Sequence, residues 1–290
     1  MSTGKIKELA EKYYPEVVEL RHYFHMYPEL AFEEVKTAAK VADTLERLGI
    51  EVQTGVAKTG VVGLIRGGKP GRTVLLRADM DALKVHETAD VPYKSRVPGV
   101  MHSCGHDGHT AGLLGAAMIL NEIKEELFGN VKLVFQPAEE EDGGALPMIE
   151  EGVMENPKVD AAFGCHLWGN LLEGKLQFKK GSLMASPDAF DITIIGKGGH
   201  AAMPHLSIDP VVMAAQVIDQ TQAVISRRKS PLDPAVVSFT MVHGGDAYNV
   251  IPNEVKLAGT IRTLDHGIRK WIPEAMEAVV KGVTEAGGGS

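Results

Sequence analysis

The sequence predicts an α/β protein, built as an α/β/α sandwich domain followed by a smaller α+β domain. In the first part of the 290-residue chain, short apolar runs alternate with helical segments. These runs are continuously apolar rather than alternating, which is typical of strands covered on both faces. From about residue 184 the order becomes strand, helix, strand, strand, helix, which is a split βαβ (ferredoxin-like) unit without its last strand.

The first domain is predicted over residues 1–183. Its elements, in order, are two helices within 5–48 that break near Pro28, strands at 61–66 and 73–79, a helix from about Thr110 to Leu127, and strands at 131–138 and 161–168. Strand–helix alternation of this kind favours helices layered on a central sheet.

The second domain is predicted over residues 184–286. Its first helix has Asp209 as the expected N-cap and Pro210 at the first helical position. The last four residues, 287–290, read GGGS and have the composition of a flexible linker. We therefore expect a C-terminally truncated chain in which both domains are incomplete.

Composition excludes several classes of partner. The formal net charge is −8 and the sequence lacks a Lys/Arg-rich run, so a nucleic-acid partner is not expected. No stretch approaches the ~20 apolar residues that cross a bilayer, so a membrane partner is not expected either. Two cysteines are too few for a disulfide framework, which favours a cytoplasmic location.

Titratable side chains gather at four places, three of which follow predicted strands. They are Asp79 and Asp81; Cys104, His106, Asp107 and His109; Glu139, Glu140 and Glu141; and His166. In α/β sheets, ligands bind beyond the carboxyl ends of the strands. Thiolate and imidazole suit zinc and related ions, and carboxylates neutralise the charge. The joint pattern therefore predicts a metal site.

The residues alone leave the assignment within that site open. In one arrangement, His166 and one of the glutamates join Cys104 and His106 as ligands of a single metal ion or of two. A neighbouring glutamate then acts as general base on metal-bound water. Taken singly, each place also has a structural explanation, such as a turn, a solvated acidic loop or a near-core histidine. A cysteine hydrolase with Cys104 as nucleophile is a further alternative.

Seven motifs in one order resemble the M20 metallopeptidase family. They are RHYFHMYPELAFEE, RADMDAL, MHSCGHDGHTAGLLGAA, FQPAEE, GCHLWG, GKGGHAAMPH and YNVIPNE followed by GTIRT, and the resemblance around them runs from about Tyr14 to Ala286. The resemblance is to the amidohydrolase subgroup, which includes hippurate, N-acyl-amino-acid and auxin-conjugate hydrolases and aminoacylase-like carboxypeptidases.

The resemblance implies a role for each matching residue. The implied ligands of two divalent ions, zinc first and manganese, cobalt or nickel as alternatives, are Cys104, His106, Glu140 and His166. Glu139 matches the catalytic base. Residues near the metal centre are Asp81, Asp107 and His109. In the smaller domain, His200 matches the histidine that reaches a partner subunit's active site and steadies the substrate carbonyl oxygen. Asn249 and Arg262 match residues that hold the substrate carboxylate.

The function implied is cleavage of the amide bond of N-acyl-amino acids or small peptides with a free carboxylate, by metal-activated water and a glutamate base. The resemblance also implies a homodimer joined through the smaller domain, which acts as a lid. In the family the chain continues with a segment that completes both domains and carries a further ligand histidine. This motivates an alternative function, a catalytically inactive fragment that serves as a dimerisation or binding scaffold.

Overall fold

The computed structural model describes residues 3–141 and 143–290. The chain divides into two compact units, Met1–Leu171 and Leu172–Ser290. This division comes earlier in the chain than the boundary at 183/184 expected from the sequence. The mixed α/β class predicted from the sequence is confirmed.

The described residues form six α-helices and ten strands. The helices are α1 (Thr3–Met26), α2 (Val35–Arg47), α3 (His106–Glu122), α4 (Ala145–Glu150), α5 (Pro210–Arg227) and α6 (His266–Gly287). The strands are β1 (Glu51–Val56), β2 (Gly60–Arg66), β3 (Lys69–Asp79), β4 (Phe128–Gln136), β5 (Ala161–Gly164), β6 (Ser186–Ile195), β7 (Gly199–His200), β8 (Ala235–His243), β9 (Val250–Ile251) and β10 (Glu254–Thr263). In these described ranges, none of the helices combines the length and apolar character needed to span a membrane.

The first unit is built on a five-stranded sheet with the order β1-β2-β4-β3-β5. β3 runs parallel to both β4 and β5, so that Leu76 lies opposite Leu133 on one side and Phe163 on the other. β1, β2 and β4 pair antiparallel. The carboxyl ends of β3, β4 and β5 therefore meet at one edge of the sheet.

Helices α1, α2 and α3 cover one face of this sheet. Their core includes Phe24, Leu45 and Leu114, which pack with Leu133 and Phe135 of β4 and are at most 1% exposed. On the other face, a smaller cluster joins Leu75 and Val134 of the sheet to Met148 of α4 and to Val153. Burial of apolar area on both faces stabilises the sheet and holds its carboxyl edge in place.

Helix α3 begins earlier and ends earlier than the predicted Thr110–Leu127. Gly105, at the N-cap, adopts a left-handed conformation with φ +89°, so the polar residues from His106 to His109 form the first helical turn. At the other end, Lys124–Glu126 form a separate 3₁₀ turn. The shift matters because it places two histidines on the first turn of a buried helix.

The second unit has a three-stranded antiparallel sheet, β6-β10-β8, and a two-stranded pair, β7-β9. Helices α5 and α6 pack on the larger sheet through two clusters, one around Ile194, Val217 and Leu257 and the other around Ile261 and Ile272. The strand–helix order of β6, α5, β8, β10 and α6 matches the order read from the sequence.

The GGGS tail does not lie as a free linker. Gly287 is the last residue of α6, and Gly288 caps the helix in a left-handed conformation with φ +77°. Ser290 then exchanges two backbone hydrogen bonds with Ile195, at 2.7 and 3.0 Å. A glycine-rich composition predicts flexibility, but here it satisfies a helix cap and adds a residue pair to the edge of β6.

Candidate metal centre

Four segments bring titratable side chains to the carboxyl edge of the first sheet. Asp79 is the last residue of β3, the turn after β4 carries Glu139 and Glu140, and His166 follows β5. The fourth segment leads into α3 and carries Cys104 just before the helix and His106 and His109 on its first turn. The parallel pairing of three strands therefore converts separate sequence motifs into one cluster.

One group of atoms within this cluster combines sulfur and nitrogen. Cys104 Sγ lies 3.3 Å from His166 Nε2, and the ligand atoms of Cys104, His106 and His166 all lie within 4.8 Å of one another. His166 Nδ1 lies 2.5 Å from the carbonyl oxygen of Leu167, to which it donates a hydrogen bond. Because Nδ1 carries that proton, the lone pair of His166 Nε2 is directed toward the thiol.

A second group combines nitrogen and oxygen. His106 Nε2 lies 3.8 Å from Glu139 Oε2 and 3.7 Å from Glu140 Oε1, again within a 4.8 Å sphere of candidate ligands. His106 Nδ1 contacts the backbone oxygen of Asp81 at 2.9 Å and Asp81 Oδ1 at 3.2 Å. These contacts turn the other ring nitrogen of His106 toward the glutamates.

These two groups fit divalent metal ions. Among the buried side-chain atoms described, His106 Nε2 and Glu140 Oε1 lack a hydrogen-bond partner, although such atoms normally have one. Two ligand atoms at about 2.0–2.3 Å from a tetrahedral ion are themselves roughly 3.3–3.8 Å apart. The observed spacings of 3.3 and 3.7 Å lie within that range.

Further hydrogen bonds hold the candidate ligands in place. Asp81 Oδ2 accepts the backbone N–H of Glu140 at 2.9 Å, so one carboxylate orients both His106 and Glu140. Asp79 receives a hydrogen bond from His109 Nδ1 at 2.6 Å and pairs with Arg77 at 2.5 Å. Such contacts orient the ligands, and loss of one typically lowers metal affinity about 10–100-fold.

Asp107 is directed to a different set of partners. Its Oδ2 lies 2.8 Å from His25 Nδ1 and 2.9 Å from Arg21 Nε, both on α1. His25 in turn contacts Glu87 at 3.2 Å. The structure therefore places Asp107 between α3 and α1, rather than in the groups around His106.

The protein groups around Cys104 favour the protonated thiol. Burial, together with hydrogen bonding and charge from Glu140, raises the pKa of Cys104 to about 12, and the charge of Glu139 acts in the same direction. A thiol with this pKa is a weak nucleophile, whereas a divalent cation favours the thiolate. The electrostatics thus argue against the cysteine-hydrolase alternative.

The pKa values of Glu139 and Asp79 shift in opposite directions. Burial raises the pKa of Glu139, and the charges of Asp79 and Glu140 raise it further against the opposing effect of His106. Burial alone would also raise the pKa of Asp79, but the hydrogen bond from His109 and the charge of Arg77 hold it well below its usual range. Glu139, with 42% of its side chain exposed, is thus the carboxylate suited to accept a proton from a bound molecule.

A family description, "Peptidase family M20/M25/M40", matches residues 75–285. The chain belongs to this family. An M20 relative from Geobacillus stearothermophilus, named N-acyl-L-amino acid amidohydrolase, is 45% identical over all of this chain and 78% of its own length. Thermostable carboxypeptidase 2 of Saccharolobus solfataricus is 45% identical over 96% of this chain and 71% of its own. The chain is accordingly a hydrolytic enzyme of the M20 family.

Solved M20-type structures share the fold. A Staphylococcus aureus protein described as an aminohydrolase superposes with a TM-score of 0.92 at 35% identity, covering all of this chain and 74% of its own. The Bacillus subtilis YXEP protein, described as a dinuclear metal-binding peptidase of the M20 family, gives 0.82 at 39% identity, covering 97% and 72%.

The remaining predicted M20 residues lie in the second unit. His200 is exposed on β7, and Asn249 directly precedes β9. The N–H of Ala201 donates to the backbone oxygen of Asn249 at 2.9 Å, so the two predicted residues lie at the same two-stranded pair, one on it and one beside it. Arg262 lies separately on β10 and is exposed, with Nη1 3.0 Å from the oxygen of Ile261. The second unit therefore places His200 near Asn249 and Arg262 on the other sheet.

Glu34, which was not among the predicted site residues, is fully buried at the start of α2. Its Oε1 accepts the backbone N–H of Ala138 at 2.8 Å, and its other oxygen accepts the Thr59 hydroxyl at 2.5 Å. Ala138 has a left-handed conformation, φ +50°, directly before Glu139. The signal was present in the first motif, AFEE, but sequence alone does not reveal which of its two glutamates is buried. Cys165, which directly precedes His166, is exposed.

Proposed function

We propose that this chain hydrolyses the amide bond of N-acyl-amino acids, or of small peptides with a free carboxylate, with the help of two divalent metal ions. One observation carries the proposal. The buried and unpartnered His106 Nε2 and Glu140 Oε1 face each other across 3.7 Å, beside the Cys104–His166 pair. Sulfur, nitrogen and carboxylate oxygen in one cluster favour zinc, with manganese, cobalt or nickel as alternatives.

In this proposal Cys104, His106, Glu140 and His166 hold the metal ions. Ions bound there would polarise the amide carbonyl and lower the pKa of water. His106 and His166 each present Nε2 because protein oxygens hold their Nδ1 atoms, so both rings are oriented before an ion arrives. Preorganisation of this kind reduces the cost of binding.

Glu139 is the proposed general base. Its Oε2 would accept a proton from water and pass it to the leaving nitrogen, so that the amide and water become a carboxylic acid and an amine. Two properties suit it to this role: a partly exposed side chain and a pKa raised by burial and by neighbouring carboxylates. A base whose pKa lies closer to neutral is able to take a proton and to return it.

The second unit is proposed to recognise the substrate and to join two chains as a homodimer. Arg262 would pair with the substrate carboxylate, since a guanidinium binds carboxylates through two parallel hydrogen bonds. Asn249 would assist it, and His200 would donate to the carbonyl oxygen where negative charge develops. The names of the relatives guide the choice of substrates: N-acyl-L-amino acid amidohydrolase and, in Bacillus subtilis, N-acetylcysteine deacetylase. The two cysteines are compatible with the proposed cytoplasmic location.

The test begins with metal-stripped protein reloaded with zinc, manganese, cobalt or nickel. Metal per chain is measured by mass spectrometry, and turnover is measured on N-acetylated amino acids. Glu139→Gln should retain the metal and lower kcat by about 10²–10⁴-fold. Glu141→Gln, at the exposed glutamate two residues after Glu139, is the matched control and should leave kcat within about twofold, as surface substitutions usually do.

The outcomes separate the two functions. Two bound ions with turnover that depends on Glu139 support the hydrolase. Tight binding of fewer than two ions without turnover favours the dimerisation or binding scaffold. Full turnover by Glu139→Gln contradicts the base assignment, and unchanged metal content in Cys104→Ala removes the cysteine from the ligand set.

A further inference from the structure

His109 uses both of its ring nitrogens for contacts with the protein. It lies on the first turn of α3 and is 4% exposed. His109 Nδ1 is 2.6 Å from Asp79 Oδ1, and His109 Nε2 is 2.8 Å from the backbone nitrogen of Leu167. The imidazole therefore bridges the end of β3 and the loop after β5.

The partners determine which nitrogen carries the proton. A backbone N–H is always a donor, so His109 Nε2 must accept from Leu167 and lacks a proton. His109 Nδ1 then carries the proton and donates it to the Asp79 carboxylate. This matters because Asp79, His106 and His109 form one of the groups whose atoms lie close enough to hold an ion. An ion on His109 would need the lone pair that Leu167 already uses.

The residue held by this contact is adjacent to His166. The backbone of Leu167 accepts from His166 Nδ1 through its oxygen and donates to His109 through its nitrogen. A chain of contacts thus runs from Asp79 through His109 and Leu167 to His166, whose Nε2 faces Cys104 at 3.3 Å.

Apolar burial contributes little to holding this loop. The side chains of Leu167 and Trp168 are 55% and 52% exposed. Leu167 nevertheless lies directly over α3, because a Cβ added at Gly108 would come within 2.4 Å of Leu167 Cδ1. With so little buried surface, the hydrogen bond from the Leu167 amide is a main determinant of where the loop, and with it His166, is placed.

We propose that His109 is a positioning residue, not a metal ligand: by accepting the Leu167 N–H, it sets the loop that presents His166 to the metal centre. The part that concerns metal affinity rests on the proposed function, in which His166 is a ligand. The part that concerns the loop stands on the contacts alone.

The test uses two substitutions, each of which keeps a polar atom at the position of one ring nitrogen of His109 and removes the other. In His109→Gln, the amide oxygen reaches the Nε2 position and is able to accept from Leu167. In His109→Asn, the amide nitrogen occupies the Nδ1 position and donates to Asp79, but the side chain is too short to reach Leu167. His86→Asn, at an exposed histidine, is the control for the substitution itself.

Hydrogen exchange of the Leu167 amide is measured first, without added metal. We expect exchange at least about tenfold faster in His109→Asn and within about threefold of the parent in His109→Gln, since one hydrogen bond is lost or retained. Zinc affinity, measured by competition with a chelator, should fall about 10–100-fold in His109→Asn and stay within about threefold in His109→Gln.

Several results would overturn the proposal. Equal loss of zinc in both variants, with the Leu167 amide still protected, would make His109 a ligand. Unchanged exchange and affinity in His109→Asn would remove its positioning role. If His109→Asn does not fold, ¹⁵N spectra of the imidazoles in the parent protein decide: His109 Nε2 should keep its shift when zinc is added, whereas a ligand's nitrogen would move. Failure of the parent to bind any metal would reject the proposed function, while Leu167 exchange would still test the loop.

Discussion

Asp81 holds two of the proposed metal ligands with a single carboxylate. Its Oδ1 lies 3.2 Å from His106 Nδ1, and its Oδ2 accepts the Glu140 N–H at 2.9 Å. Burial alone would raise the pKa of Asp81, but the hydrogen bonds from His106 and the Glu140 backbone lower it overall. The group is therefore ionised near neutral pH and serves two donors at once.

The substitution Asp81→Asn keeps the shape and removes one acceptor. An amide presents one oxygen and one NH₂ group, so either His106 or Glu140 must face a donor instead of an acceptor. Loss of one hydrogen bond to a charged group costs about 1.5–3 kcal/mol. At about 1.4 kcal/mol per tenfold, zinc affinity should fall roughly 10–100-fold. The backbone oxygen of Asp81, 2.9 Å from His106 Nδ1, remains and limits the loss.

The assay is zinc affinity by chelator competition, measured beside the urea unfolding of the metal-stripped protein. Asp160→Asn is the matched control, since Asp160 also accepts a backbone N–H, that of Thr73 at 2.8 Å, at the opposite end of β3. A folded Asp81→Asn protein with zinc affinity within about twofold of the parent would refute the reasoning, because the cited loss predicts at least about tenfold. An equal loss in Asp160→Asn would attribute the effect to general stability.

Three further predictions concern stability. Leu114→Ala, at a side chain that is 0% exposed, should lower the free energy of urea unfolding by about 2–5 kcal/mol, and a loss under about 1 kcal/mol would contradict the assigned core. Glu34→Ala should cost about 1–3 kcal/mol because the buried N–H of Ala138 loses its acceptor, whereas Glu34→Gln keeps an acceptor and should cost less; equal losses would exclude that contact as the cause. The hydrogen bond that His25 donates to the Asp107 carboxylate raises the pKa of His25, so the stabilisation from His25 is complete below its ordinary pKa of 6.5 and is lost as the pH rises through the folded-state value. Burial opposes ionisation of Asp107, but the His25 hydrogen bond and charged neighbours lower its pKa, so its stabilisation is present above 3.8 and is lost as the pH falls through the folded-state value. Urea unfolding across pH should therefore show both losses, and His25→Gln should remove the alkaline one; an unchanged alkaline loss in that variant would assign it to another group.

The local pattern of apolar and polar residues was sufficient to predict the main elements of the first unit. Continuous apolar runs identified β2, β3 and β4 because buried parallel and central strands have few polar positions. β1 was missed because its sequence, EVQTGV, is mostly polar and exposed at the edge of the sheet. Edge strands bury less apolar surface than central strands, so the apolar run that identifies a strand in the sequence is weaker there.

Contacts between residues that lie far apart in the chain could not be predicted from the sequence. Glu34 contacts Ala138 across 104 positions, and His109 contacts Leu167 across 58. Neither contact leaves a local signal, because the sequence around a buried acid or histidine is the same whichever distant residue it contacts. Similarly, Asp107 was grouped with the metal centre by its position beside His106, yet the helix turns its carboxylate toward α1.

The sequence by itself determined which residue types are present and that they follow strands or precede a helix, because strand and helix periods and the preference of metals for sulfur, nitrogen and oxygen are local properties. It also carried the seven ordered motifs that agree with M20 membership. Only the tertiary structure decided which atoms face one another. Strand order and register set those distances, and a change of a few ångströms separates a ligand from the residue that holds the ligand in place.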